Sequence, residues 1–253
     1  MAQEENGFKP NFKNGGFWEY YKDLERQFED FLVYIPYLEK NEKACSFRLV
    51  NILLGICSHI DSAIKEIAFY EEFNGIDKWK KIRKIVVENR TKIEQGKIPS
   101  GPSFKMCLEA LEYSYCVSTK EVTFKRLPNG KIIKPYEPFN QKTQAPFWWD
   151  IYNHTKHDLH EYFEKVTLKQ TRDALAGAFL LNVIFEPATY RLAEYGLVKY
   201  KYSRVGHVEK ALTFYRGKCM KFKGVIEPDY AFDCIIETPL FIYEYEYERN
   251  EKT

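Results

Sequence analysis

The chain has no Cys-x-x-Cys pair, its six cysteines standing at 45, 57, 107, 116, 219 and 234. That spacing argues against a zinc site built from close cysteine pairs, and 253 residues can bury a core without disulfides, so the thiols read as reduced and mostly structural. An excess of one charge is lacking too. With 38 basic against 36 acidic residues, the net charge of +2 supplies no global attraction for nucleic acid or a membrane surface, and electrostatic arguments must rest on local patches. The polar start MAQEENGFKPNFKNGG contains no apolar stretch of the kind a secretory signal needs. The longest nearly unbroken apolar run, ALAGAFLLNVIF at 174–185, falls far short of the ~20 residues of a spanning helix. These absences predict a cytoplasmic protein with no membrane partner. No internal repeat and no low-complexity linker divides it.

What is present is a set of apolar patterns. Leu24, Phe28, Phe31, Leu32 and Ile35 recur at helical spacing up to Pro36. From Ser46, a natural N-cap, Phe47, Val50, Leu53, Leu54, Cys57, Ile60, Ile64, Ile67 and Ala68 predict a long helix. A third helix follows Asp77, with Trp79, Ile82, Val86 and Ile93 on one side, and ends before Pro99, Gly101 and Pro102. It is the most basic part of the chain, and Lys80, Lys81, Arg83 and Lys84 are its candidate phosphate-tracking residues. Trp79 could stack on a base, but its register with Ile82 and Val86 favours the core. Phe104, Cys107, Leu108, Leu111 and Tyr115 predict a further helix.

EVTFKRLPNGKIIKPYEPF then reads as a β-hairpin turning at Pro128-Asn129-Gly130. A capping box at Thr167 and Gln170 starts a last helix, predicted to break or kink near Pro187 and stop at Gly196. Beyond it the period changes to two: Val198, Tyr200 and Tyr202 alternate with polar residues, and FIYEYEYE at 241–248 reads as an edge strand guarded by glutamates. The expected architecture is mainly α. Residues 1–16 are irregular, 17–196 form a helical bundle with a β-hairpin near 121–136, and 197–253 form a small C-terminal β extension packed on it.

PFWWDIYNHTKHDLHEYFEKV, residues 146–166, holds three of the five histidines. At 100° per residue, Trp148, Tyr152, Thr155, Leu159, Tyr162, Phe163 and Val166 share one face, predicting a continuous helix over 148–166 with Tyr152 on its buried side. Asn153, Lys156, His157, His160 and Glu164 fall opposite, with His154, Asp158, Glu161 and Lys165 alongside. Each histidine has a carboxylate four residues on (His154 with Asp158, His157 with Glu161, His160 with Glu164). Such a carboxylate can orient an imidazole and tune it for acid–base work near pH 7. A solvated helix face laced with ion pairs would carry the same pattern.

The motif Trp148-Trp149-x-x-Tyr152-Asn153-x-x-Lys156-His157-Asp158, together with Ser58-His59-Ile60-Asp61-Ser62-x-x-Lys65 on the long helix, resembles HEPN-type helical bundles. That family's signature is Arg, a polar residue such as Asn, three variable residues, then His. The resemblance spans residues 17–195 in helix order and the short motif in residue detail. It implies a homodimeric bundle acting as an RNA-binding protein or metal-independent endoribonuclease of a stress or defence system, with no cofactor.

On this resemblance His157 would move the proton as an RNA 2′-hydroxyl attacks its own 3′-phosphate, Asn153 would hold a phosphate oxygen or the histidine, and Lys156 would supply positive charge. His160 and Glu161 would support His157, and Asp61 and Lys65 would border the cleft unless they form an ordinary intrahelical ion pair. Tyr152 stands where the family has its arginine, and a lysine lacks the bidentate fork arginine offers a phosphate. Two other classes compete. One is an inactive relative serving as a nucleotide-binding or protein-interaction module, the latter through the C-terminal β extension. The other is a metal-dependent hydrolase whose histidine and acid pairs share an ion.

Overall fold

Ser46 opens the central helix as its sequence predicts: its backbone is extended and its Oγ accepts from Leu49 N at 3.2 Å, satisfying one of the unpaired donors of the first turn. In the structure, a computed structural model that describes residues 16–70, 73–98, 100–142, 144–184, 198–200 and 234–245, this helix is α2 (Phe47–Ile67). Its buried Leu53, Ile56, Ile60 and Ile64 pack between α1 (Gly16–Tyr34) and α8 (Leu168–Ile184). Among the described residues α2 is the one helix long and apolar enough to cross a membrane, and its apolar residues form the protein core.

α8 is buried along almost its whole length. Thr167 caps it through Oγ1, which accepts from Gln170 N at 3.3 Å, and two more amides of its first turn reach carbonyls of the 42–44 loop: Leu168 N donates to Ala44 O and Lys169 N to Glu42 O. The expected break at Pro187 and stop at Gly196 lie outside the described residues.

α3 (Asp77–Glu94) and α4 (Phe104–Tyr115) pair on the flank of α2. Trp79 belongs to the core, fully buried, with its indole N–H donating to Ser114 Oγ at 2.8 Å. Arg83 is anchored to the protein. Its Nε donates to Ala68 O and its Nη1 to Asn74 Oδ1, so the expectation of a free phosphate-tracking arginine is corrected: the side chain staples α3 to the end of α2. Lys80 and Lys84 stay exposed in loose helical pairs with Asp77 and Glu88, at 3.4 and 3.9 Å, and Lys81 is exposed. The buried Asn89 grips the backbone of Ser100 with both ends of its amide, fixing the loop that leads into α4.

The β segments form one sheet of order β2-β1-β5-β4-β3, every neighbouring pair antiparallel. β1 (Val122–Phe124) and β2 (Lys131–Ile133) are the expected hairpin; their connection needs the left-handed backbone at Asn129 (φ 65°) and Gly130 (φ 71°). β3 (Val198–Tyr200), β4 (Cys234–Glu237) and β5 (Phe241–Tyr245) come from the C-terminal part, and Phe124 pairs with Phe241 across the junction. The edge-strand reading of residues 241–248 is therefore corrected over 241–245, where β5 lies mid-sheet between β1 and β4; residues 246–248 lie outside the described residues. Its alternation marks one packed and one solvated face, with Phe241 and Tyr243 buried and Glu244 exposed. Phe241 stacks on Phe179 of α8 (centroids 5.6 Å apart) and seats the sheet on the helices.

Two buried polar groupings complete the frame. Arg172 of α8, 2% exposed, donates to Glu42 (3.0 Å), Asp173 (2.5 Å) and the Tyr37 hydroxyl, and its guanidinium lies over the rings of Tyr37 and Phe124. Lys131 of β2 donates to the same Glu42 oxygen at 2.8 Å, so this cluster joins α8, the 37–42 loop and the hairpin. On α1, the buried Glu25 accepts from Thr238 Oγ1 (2.5 Å) and Leu240 N (3.1 Å) and holds the β4–β5 turn.

Candidate functional site

α6 (Phe147–Thr155) starts after Pro146 and buries Trp148, Trp149, Ile151 and Thr155. It approaches α8 closely at Gly177, where a Cβ would sit 3.2 Å from the Trp148 ring and 3.3 Å from the Tyr136 hydroxyl. Trp149 stacks face to face on Phe104 of α4, with centroids 3.5 Å apart and 12° between planes. α6 is thereby fixed against α2, α4 and α8 together.

The helix then stops. His157 N and Asp158 N both donate to His154 O, Asp158 leaves the helical region (φ −145°, ψ 81°), and its carboxylate accepts from Glu161 N at 3.1 Å to cap α7 (Leu159–Tyr162). A 3-10 turn at Phe163–Lys165 follows. The expected continuous helix over 148–166 is thus two helical pieces and a turn, because Asp158 is a better N-cap than an interior helical residue, and the asparagine and histidines before it add little helix propensity.

The break dissolves the carboxylate pairs. Asp158 is occupied as a cap, His154 stacks instead on Tyr162 (4.5 Å, 6°), and His157, His160, Glu161 and Glu164 are exposed with no ion pair among the described residues. Leu159, expected to be buried, is 39% exposed for the same reason, while Val166 reaches the core as expected.

Other predicted residues do converge. Tyr152 and Asn153 of α6, Lys156 at its C-cap and Asp61 of α2 line one cleft of about 370 Å³ together with Phe104, Trp149, Pro102, Lys105 and Asp150. Lys156 Nζ donates to Asn153 Oδ1 at 3.1 Å and lies 4.9 Å over the Tyr152 ring, so amide, ammonium and phenol act as one unit. Tyr152 is half-buried, packed against the core as its place in the helical projection implies, and it also lines the cleft. Lys65 Nζ donates to Asp61 Oδ2, the helical ion pair, and of the two it is Asp61 that lines the cleft.

Burial raises the pKa of Asp150 and, aided by the nearby Cys57 and Asp61, that of Tyr152. Beneath the cleft Cys57 and Cys107 are free buried thiols, and burial pushes Cys107 up to about 12. His59, part of the predicted motif, lies away from solvent between Phe17 and Tyr20 of α1, with Nε2 3.0 Å from the Asn182 amide of α8. Burial lowers its pKa to about 4.

No family model, curated protein or solved structure matches this chain. Among the described residues no three His, Cys, Asp or Glu side chains are grouped as a metal site.

The sequence alone did not single out Lys105, Asp150 and Phe104. Asp150 lies one turn before Asn153, a spacing that could have flagged it; Lys105 and Phe104 arrive through the docking of α4, which no local pattern announces.

Proposed function

We propose that the protein is a HEPN-like RNA-binding protein that takes single-stranded RNA into the cleft at α6, within a stress or defence setting and as a cytoplasmic homodimer. One observation carries the reading: the motif residues Tyr152, Asn153 and Lys156 meet Asp61 of the motif-bearing long helix in a single cleft with aromatic walls. Lysines beside aromatic rings are what a single strand needs, charge for the phosphates and apolar surface for the bases.

Cleavage on this reading is slow or absent. The cation at the site is a lysine already engaged by Asn153 and the Tyr152 ring, not an arginine fork, and the exposed His157 has no carboxylate to orient it among the described residues. Incubation with a mixed structured and single-stranded RNA pool in excess EDTA, beside folded His157→Ala, tests this. The expected result is retained RNA with little product. Products with 2′,3′-cyclic ends that vanish in the variant would establish the endoribonuclease instead, and cleavage that appears only on adding Mg²⁺, Mn²⁺ or Zn²⁺ would establish a metal-dependent hydrolase. Failure to retain RNA at all would overturn the proposal.

A further inference from the structure

Asp61, which lines the cleft, and Lys65 bonded beside it carry a hydrogen-bonding pattern that the RNA reading leaves unused. Asp61 and Lys65 stand one helical turn apart on α2, each about one-third exposed, with Lys65 Nζ bonded to Asp61 Oδ2. Lys65 Nζ also lies against the wall formed by the 101–102 loop, where a Cβ on Gly101 would sit 3.6 Å from it. Asp61 Oδ1 has no hydrogen-bond donor among the described residues. In order, the pair presents a donor, an acceptor and a second acceptor.

A carboxylate in a cleft repels phosphate, so whatever meets Asp61 brings donors. Among the four RNA bases, guanine alone offers two adjacent donors, N1–H and N2–H, beside an acceptor, O6, on its Watson–Crick edge. Adenine and cytosine offer one donor beside a ring-nitrogen lone pair that a carboxylate repels, and uracil offers one donor between two carbonyls. With Oδ2 on N1–H and Oδ1 on the N2 amine, the ammonium beside Oδ2 falls next to O6.

Resting on the cleft reading above, we propose that Asp61 and Lys65 select guanine, with the phosphate held by Lys156 and Lys105, which line the same cleft. A cleft of about 370 Å³ lies at the lower end of small-ligand sites and suits a single nucleotide rather than a duplex.

Calorimetric titration of the full chain with guanosine, inosine, adenosine, cytidine and uridine monophosphates tests the selection. Inosine monophosphate lacks only the N2 amine, so guanosine monophosphate should bind at least about tenfold tighter than it and than the other three. Asp61→Asn should bring the guanosine nucleotide down to the inosine level, while Lys156→Ala should weaken all five alike. Equal binding of the guanosine and inosine nucleotides, or no binding of either, overturns the proposal on the wild-type protein alone, whether or not a variant folds.

A parallel titration with guanine-containing and guanine-free hexamer RNAs separates the two readings. RNA bound without regard to guanine removes the selection and leaves the RNA site standing. Selective nucleotide binding without RNA binding removes the RNA reading and leaves guanine recognition.

Discussion

Arg172→Met is expected to lower the unfolding free energy by about 3–5 kcal/mol, the largest effect of any single substitution considered for this chain. The guanidinium is 2% exposed and makes charged bonds to Glu42 and Asp173, while its plane covers two aromatic rings. Removing it does not strand both carboxylates equally. Burial pushes Glu42 up, but Lys131, Tyr37 and Arg172 together outweigh burial and hold its pKa below the usual value, and two of those three remain in the variant. Asp173 is the exposed weakness, since burial already raises its pKa and Arg172 is the first group opposing that.

Arg172→Lys should recover little, because a point charge cannot bond several partners and stack on Tyr37 at once. Adding Asp173→Leu to Arg172→Met should restore part of the loss by removing the stranded carboxylate. Urea unfolding of the wild type, both single variants and the double variant measures each of these. An Arg172→Met cost below about 1 kcal/mol would mean the cluster does not hold the hairpin to α8.

The second large effect is a pair of opposed pH dependences. Burial raises Glu25 from 4.5 to about 7, partly offset by its bonds from Thr238 and Leu240, so the folded state holds a proton that the unfolded chain has released. Stability from this group is fully present below pH 4.5 and falls as pH rises through 7, by about 3 kcal/mol. His59 runs the other way. Its pKa is lowered from 6.5 to about 4, the unfolded chain binds the proton first, and stability present above 6.5 is lost by a similar ~3 kcal/mol as pH falls toward 4.

The two slopes nearly cancel in the wild type and separate in the variants. Relative to wild type, Glu25→Gln should gain about 3 kcal/mol between pH 4.5 and 7, while His59→Leu should lose a similar amount between pH 4 and 6.5. Chemical unfolding at half-unit pH intervals reads both difference curves. Parallel curves for Glu25→Gln and wild type would show that Glu25 is ionised in the folded protein at neutral pH.

The helices were legible because each signal was local and strong. Ser46 caps α2, Thr167 with Gln170 starts α8, and the Trp79 register places that indole in the core, all as the spacing implies. The sheet was legible only in pieces. The hairpin at 122–133 is announced by its turn and residues 241–245 by their period of two, while β4 at 234–237 carries no such signal, and nothing in either segment states that Phe124 will pair with Phe241, more than a hundred residues away. The same blindness turned a mid-sheet strand into an expected edge.

At the site, periodicity failed at Asp158: a helical projection cannot see that one side chain will cap a new helix and end the old one. Asn153, Lys156 and Asp61 survived as neighbours because they sit on helices fixed by Trp148, Trp149 and Gly177, whereas His157, His160 and Glu161 lie beyond the break. Glu25, His59 and Arg172 look like ordinary polar residues in sequence, and only tertiary packing makes them buried groups.

The central claim is that the α6 cleft, rather than the basic face of α3, holds RNA. Fluorescence anisotropy of a labelled single-stranded RNA, titrated at several salt concentrations, tests it with Lys156→Ala, Asn153→Ala and a combined Lys80→Ala, Lys81→Ala, Lys84→Ala variant. Each cleft variant should weaken binding by about tenfold, while the α3 triple variant should weaken it less and mainly flatten the salt dependence. Cleft variants that bind like the wild type, with binding lost in the α3 variant, would contradict the account and move the RNA to α3.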